Sequence, residues 1–217
     1  MTHLHKFYLI LLVAVLTAGT MLYFQIIRAN NIDTKPTTLP LVDQNFTEIP
    51  LTITDKPLGN PGAQLLIIGF FDFNEKTDRD QANLIADFVK NNPQATQFYI
   101  KNNPGEKWFG DDRTLVHRAL ICASTQKKYW EFLSELTNIE KNNPETLSKI
   151  AVNLNLNGDA WQNCLNSEIT KQTIEADSAL AKNLGLNATP AIFVNNKKLN
   201  LDKNIDLNDL LNKLIAI

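Results

Sequence analysis

The run QLLIIGFFDF, residues 64–73, limits the possible folds more than any other stretch. It is apolar almost throughout and too short for a buried helix, so it reads as the central strand of a sheet covered on both faces. After it, DRDQANLIADFVKNN sets apolar residues at 82, 84, 85, 88 and 89, one face of a helix that Pro93 stops. TQFYI (96–100) predicts a second strand, parallel to the first through that helix.

The flanking stretches extend this βαβ unit. IPLTIT (49–54) alternates and predicts a short edge strand, and KPLGNPGA (56–63) is a turn cluster. A helical block follows over 111–139, 144–156 and 158–185, with acids at its start and Gly185 at its end. NATPAIFVNNKKLN (187–200) predicts a turn, a strand, an Asn-Asn hairpin turn and a short returning strand, before the helical pattern DLNDLLNKLIAI. The order is β-α-β, helical insertion, β-β-α, an α/β fold.

A separate segment precedes the domain. FYLILLVAVLTAGTMLYFQII, Phe7–Ile27, carries no charge over 21 residues, and at 1.5 Å per residue it spans the roughly 30 Å hydrocarbon core of a bilayer. A cleaved signal peptide would have an apolar core of about 7–15 residues and a small-residue cleavage site; here apolar residues continue past Thr17-Ala18-Gly19. An uncleaved transmembrane anchor over 1–28 is therefore expected. Residues 29–48, polar and proline-punctuated, read as a linker, and 49–217 as the folded domain. The net charge of −2 and the lack of a Lys/Arg run speak against a nucleic-acid partner.

Three stretches resemble the DsbA-like branch of the thioredoxin superfamily: LGNPGAQLLIIGFFDFN (58–74), ALICASTQKKYWEFLSEL (119–136) and EADSALAKNLGLNATPAIFVNNKKL (175–199). The resemblance implies a thioredoxin-like fold with a helical insertion at about 111–170. In that family an aspartate-aromatic-X lead-in precedes a Cys-x-x-Cys tetrad. Asp72, Phe73 and Asn74 match the lead-in, but Glu75, Lys76, Thr77 and Asp78 stand where the tetrad would be. Dithiol exchange needs a thiolate and a mixed disulfide, which carboxylates cannot form. Glu75 and Asp78 read as helix-start acids, stabilising by roughly 0.3–1 kcal/mol each, and no metal or other cofactor is expected. Both side chains are expected to be at least partly exposed, because an unpaired buried carboxylate is costly.

Thr189-Pro190 matches the family's cis-proline loop, which lines a groove where backbone groups pair with an extended peptide. The loop could equally be kept because it shapes the core. For the two cysteines, Cys122 and Cys164, the resemblance implies a structural disulfide within the helical insertion. His117 reads as a core-edge or solvated histidine.

The expected protein is redox-inactive. It is anchored by a single pass in a bacterial inner membrane, with its domain in the periplasm, and binds an envelope protein or extended peptide as a chaperone-like or scaffolding module. The alternative is an enzyme, using Cys122 and Cys164 for thiol-disulfide chemistry or the carboxylates with a metal.

Overall fold

A computed structural model describes residues 17–21, 23, 48–105, 112–201 and 206–216. The expected anchor lies mostly outside these residues, with 17–21 and 23 helical, and the expected linker lies almost wholly outside them. No helix among the described residues is long and apolar enough to cross a membrane.

The domain is a five-stranded mixed sheet with helices on both faces. Strand order is β1-β3-β2-β4-β5, with β1 Leu58–Gly59, β2 Leu65–Phe71, β3 Thr96–Asn102, β4 Ala191–Val194 and β5 Lys197–Lys198. β2 runs parallel to β3 and antiparallel to β4. The intervening helix is α1, Lys76–Asn91. Side chains of β2 alternate between two buried faces. Ile68 and Phe70 join Ala181, Leu186 and Phe193 in one cluster, while the Phe71 ring, on the other face, meets Phe98 and Phe73.

The helical block is more divided than the sequence predicts. The expected helix over 111–139 is two, α2 Leu115–Thr125 and α3 Tyr129–Leu136, broken where Lys127 adopts φ +61°. The Gln126 side chain fixes this break by exchanging hydrogen bonds with the Asn157 backbone, at 2.7 and 3.3 Å. α4, Pro144–Asn153, follows. The expected helix over 158–185 is α5 Gly158–Leu165 and α6 Glu168–Asn183. At that break the buried Arg118 donates to the Leu165 carbonyl at 2.8 Å, satisfying an acceptor that the helix end leaves open. α7 spans Leu207–Ile215, and the Asp206 side chain accepts the Asn208 and Asp209 amides at its start.

The predicted edge strand over 49–54 does not form. Asp55 folds the chain there, its carboxylate accepting the Thr52 amide at 2.5 Å, which leaves Ile53 95 % exposed. The edge strand is instead β1, inside the expected turn cluster. Gly59, at φ +87°, permits it, because a Cβ there would stand 2.1 Å from the Thr96 carbonyl oxygen. At the opposite edge, Asn195 and Asn196 adopt φ +47° and +63°, as a tight hairpin turn requires.

Candidate functional site: the β2–α1 turn and the Thr189–Pro190 groove

Residues 72–75 form the turn from β2 into α1. Asp72 Oδ1 accepts the Asn74 backbone amide at 3.0 Å and the Asn74 side-chain amide at 2.7 Å. Its Oδ2 accepts the Gly105 amide at 2.9 Å and pairs with Arg113, which also donates to Glu75 Oε1 at 3.0 Å. Burial alone would raise the Asp72 carboxyl, but the hydrogen bonds it accepts from Asn74, Gly105 and Arg113 hold it well below the usual carboxylate range.

His117 lies wholly inside the protein rather than at the core edge. Phe73 N–H donates to its Nε2 at 3.2 Å, and its Nδ1 is 3.1 Å from Asn102 Oδ1. The Asn102 amide nitrogen donates to Asp177, so the Asn102 oxygen faces the ring and Nδ1 carries the proton. Burial lowers the His117 pKa and favours this neutral form. Nε2 then has no proton for Asp72 Oδ1, 3.4 Å away, and the Asp72 charge is balanced by Arg113.

Glu75 and Asp78, one α-helical turn apart, have opposite surroundings. The Glu75 side chain is 58 % exposed, as expected. Asp78 is 2 % exposed, contrary to expectation, because its position in the first turn of α1 points it under the end of β2. There Oδ2 accepts the Asp72 amide at 2.7 Å. No ion pair among the described residues includes Asp78. Burial, reinforced by the nearby Asp72 and Glu75 charges, pushes its pKa from 3.8 up to about 6.

A raised folded-state pKa means that the stabilising contribution of neutral Asp78 is complete below the unfolded value of 3.8 and lost as pH rises through about 6. Asp78→Asn stays neutral throughout. Its stability relative to wild type should rise by up to about 3 kcal/mol between about pH 4 and pH 7.5. Urea unfolding at both pH values checks this, and a pH-independent difference would contradict it.

The Thr189–Pro190 bond is cis. The β2–β4 ladder ends at Phe70↔Ala191, so the chain before Pro190 lies beyond the last paired residue. It lines a groove of about 670 Å³, which Glu75, Arg113, Gly105, Lys182 and Thr189 also line. Lys76 and Thr77 open α1, Lys76 pairing with Asp80 at 2.6 Å on the surface. Cys122 and Cys164 form a disulfide between α2 and α5, with Cα atoms 5.6 Å apart. Among the described residues no group of three or more His, Cys, Asp and Glu side chains is placed to hold a metal ion.

Several site residues escape a sequence reading. Arg113 sits in a polar helix start with nothing to distinguish it from a solvated cation. Arg79 is 2 % exposed and donates to the Phe73 and Asn74 carbonyls, both at 3.0 Å, and to the Ile139 carbonyl at 3.2 Å, tying the turn to the segment that follows α3. Its only sequence signal is a position next to the apolar stripe of α1.

A thioredoxin family model matches residues 52–214, and the chain belongs to that family. No curated protein sequence matches it. Among solved structures, it is similar to a thioredoxin-like oxidoreductase from Silicibacter pomeroyi DSS-3, with 23 % identity, TM-score 0.63, and 76 % of this chain and 95 % of that one covered. The thiol-disulfide exchange protein α-DsbA2 from Wolbachia pipientis matches at 17 % identity and TM-score 0.64, over 76 % and 87 % of the two chains. Oxidised BdbD from Bacillus subtilis matches at 19 % identity and TM-score 0.63, over 80 % and 97 %. The fold is therefore thioredoxin-like, of the DsbA-like type.

Proposed function

We propose that the domain is a redox-inactive binding module that takes an extended protein segment in the Thr189–Pro190 groove. The observation that carries this reading is the pair Glu75 and Asp78: the β2–α1 turn offers carboxylates and no sulfur, beside an open groove. The only sulfur pair is bridged inside the helical insertion, with Cys122 0 % exposed. That position suits a structural crosslink better than an exchanging dithiol. The apolar run Phe7–Ile27 and the oxidised cysteines support a single-pass anchor in a bacterial inner membrane, with the domain in the periplasm as a chaperone-like or scaffolding partner for envelope proteins.

A photo-crosslinking residue at position 75 in the membrane-attached full chain is expected to trap a partner, whereas one at Asn212 on α7 should not. Equal trapping at both positions, or none at 75, would overturn the reading.

A further inference from the structure

The helical insertion holds a pocket of about 180 Å³, apart from the groove. α2 gives it Leu115 and Arg118, α4 gives it Leu147, and α5 gives it Trp161 and Leu165. Leu147, Trp161 and Leu165 are buried, whereas Gln162, which also lines it, is exposed. The Cys122–Cys164 bridge joins α2 to α5, so two of the three walls are tied to each other covalently.

Two residues of the wall carry N–H groups without a partner. Trp161 is 2 % exposed and Arg118 8 %, and neither Trp161 Nε1 nor Arg118 Nε has an acceptor among the described residues. The rest of the Arg118 guanidinium is engaged: Nη1 donates to the Leu165 carbonyl at 2.8 Å, and Nη2 pairs with Asp112. A buried N–H left without an acceptor is costly, and few native groups stay so. Both nitrogens are closed to bulk water, so an acceptor has to reach them from the pocket.

We propose that this pocket is a second ligand site, which takes a small carboxylate with an apolar body. It is independent of segment binding in the groove. Arg118 is the one charged side chain among the described residues that line the pocket, so the favoured ligand is an anion. A carboxylate offers two oxygens to the two open donors, and hydrogen bonds to an ionised acceptor are the stronger kind. The Asp112 carboxylate that pairs with Arg118 is 49 % exposed, where water screens it, and it does not line the pocket. Leu115, Leu147 and Leu165 supply apolar surface for the body of the ligand. Size sets a limit: an apolar cavity of about 150 Å³ holds benzene, so one ring or a short branched chain fills this one.

The test is a nitrogen-15 NMR titration of the full chain in detergent micelles, following the indole N–H of Trp161 and the Nε–H of Arg118. Trp161→Phe and Arg118→Lys assign the two signals by their loss. Benzoate is the probe. Acetate serves as the carboxylate without an apolar body, and benzamide as the ring without a charge. Benzoate is expected to move both proton signals downfield, saturably and with one midpoint concentration, as each N–H gains an acceptor. Acetate and benzamide should each bind about tenfold more weakly, or worse. Trp161→Phe keeps an aromatic ring and removes its donor, so benzoate should bind it about tenfold more weakly, read at Arg118. Benzoate at tens of millimolar that moves neither signal, or only one, would overturn the site. So would equal midpoints for benzoate and either control. The wild-type titration decides this even if a variant fails to fold.

Discussion

Lys101→Met is expected to destabilise the domain by about 3–5 kcal/mol, the range for breaking a buried ion pair from one side. The Lys101 side chain is 1 % exposed, and its ammonium lies 2.7 Å from Asp55 and 3.3 Å from Asp177. Methionine would fill the space but leave two buried carboxylates facing each other without a cation. Asp177 would keep the amide of Asn102 at 2.9 Å, whereas Asp55 would lose the contact that holds residues 52–57 against the sheet. Burial already raises the Asp177 pKa. Removing the cation should raise it further, so the penalty should shrink as pH falls and Asp177 takes up a proton. Urea midpoints of wild type and variant, at neutral and mildly acidic pH, check both statements. A cost below about 1 kcal/mol would place this network among exposed ion pairs in its energetics.

Opening the Cys122–Cys164 bridge is the second large effect. The cysteines are 42 positions apart, and a loop of that length contributes about 4 kcal/mol when its closure entropy is removed from the unfolded chain. Alanine is the suitable replacement, because serine at the fully buried position 122 would add an unsatisfied hydroxyl. Cys122→Ala with Cys164→Ala should lower the urea midpoint and increase m through a more expanded unfolded state. The crosslinking yield at position 75 should persist wherever the variant remains folded. Loss of that yield in a folded variant would tie the disulfide to the site.

Local patterns carried much of the fold into view, and long-range contacts hid the rest. β2, α1 and β3 follow from apolar runs and periodicity, and the hairpin after β4 from Asn195-Asn196. The breaks at Lys127 and at Asn166–Ser167 are not legible, because contacts to Asn157 and from Arg118 accompany them. The alternation of IPLTIT misleads for a similar reason: Asp55 is drawn to Lys101, 46 positions away, and the chain turns before it can pair. At the site, the motif positions locate Glu75, Asp78, Thr189 and Pro190 on their elements. Nothing in the sequence shows that Asp78 is buried while Glu75 is not. That difference depends on the end of β2, whose amide at Asp72 reaches back to the Asp78 carboxylate.

The central claim, a thioredoxin-family site without thiol chemistry, is tested most directly by comparing disulfide exchange in the native chain and in Glu75→Cys with Asp78→Cys. The native chain should show no exchange with small thiols above background. The double variant places two sulfurs at the start of α1, where the helix terminus should bring the thiol at position 75 below the ordinary pKa of about 8.5. It should form an internal disulfide and exchange measurably. Exchange by the native chain that disappears in Cys122→Ala with Cys164→Ala would contradict the account, as would two introduced sulfurs that cannot pair.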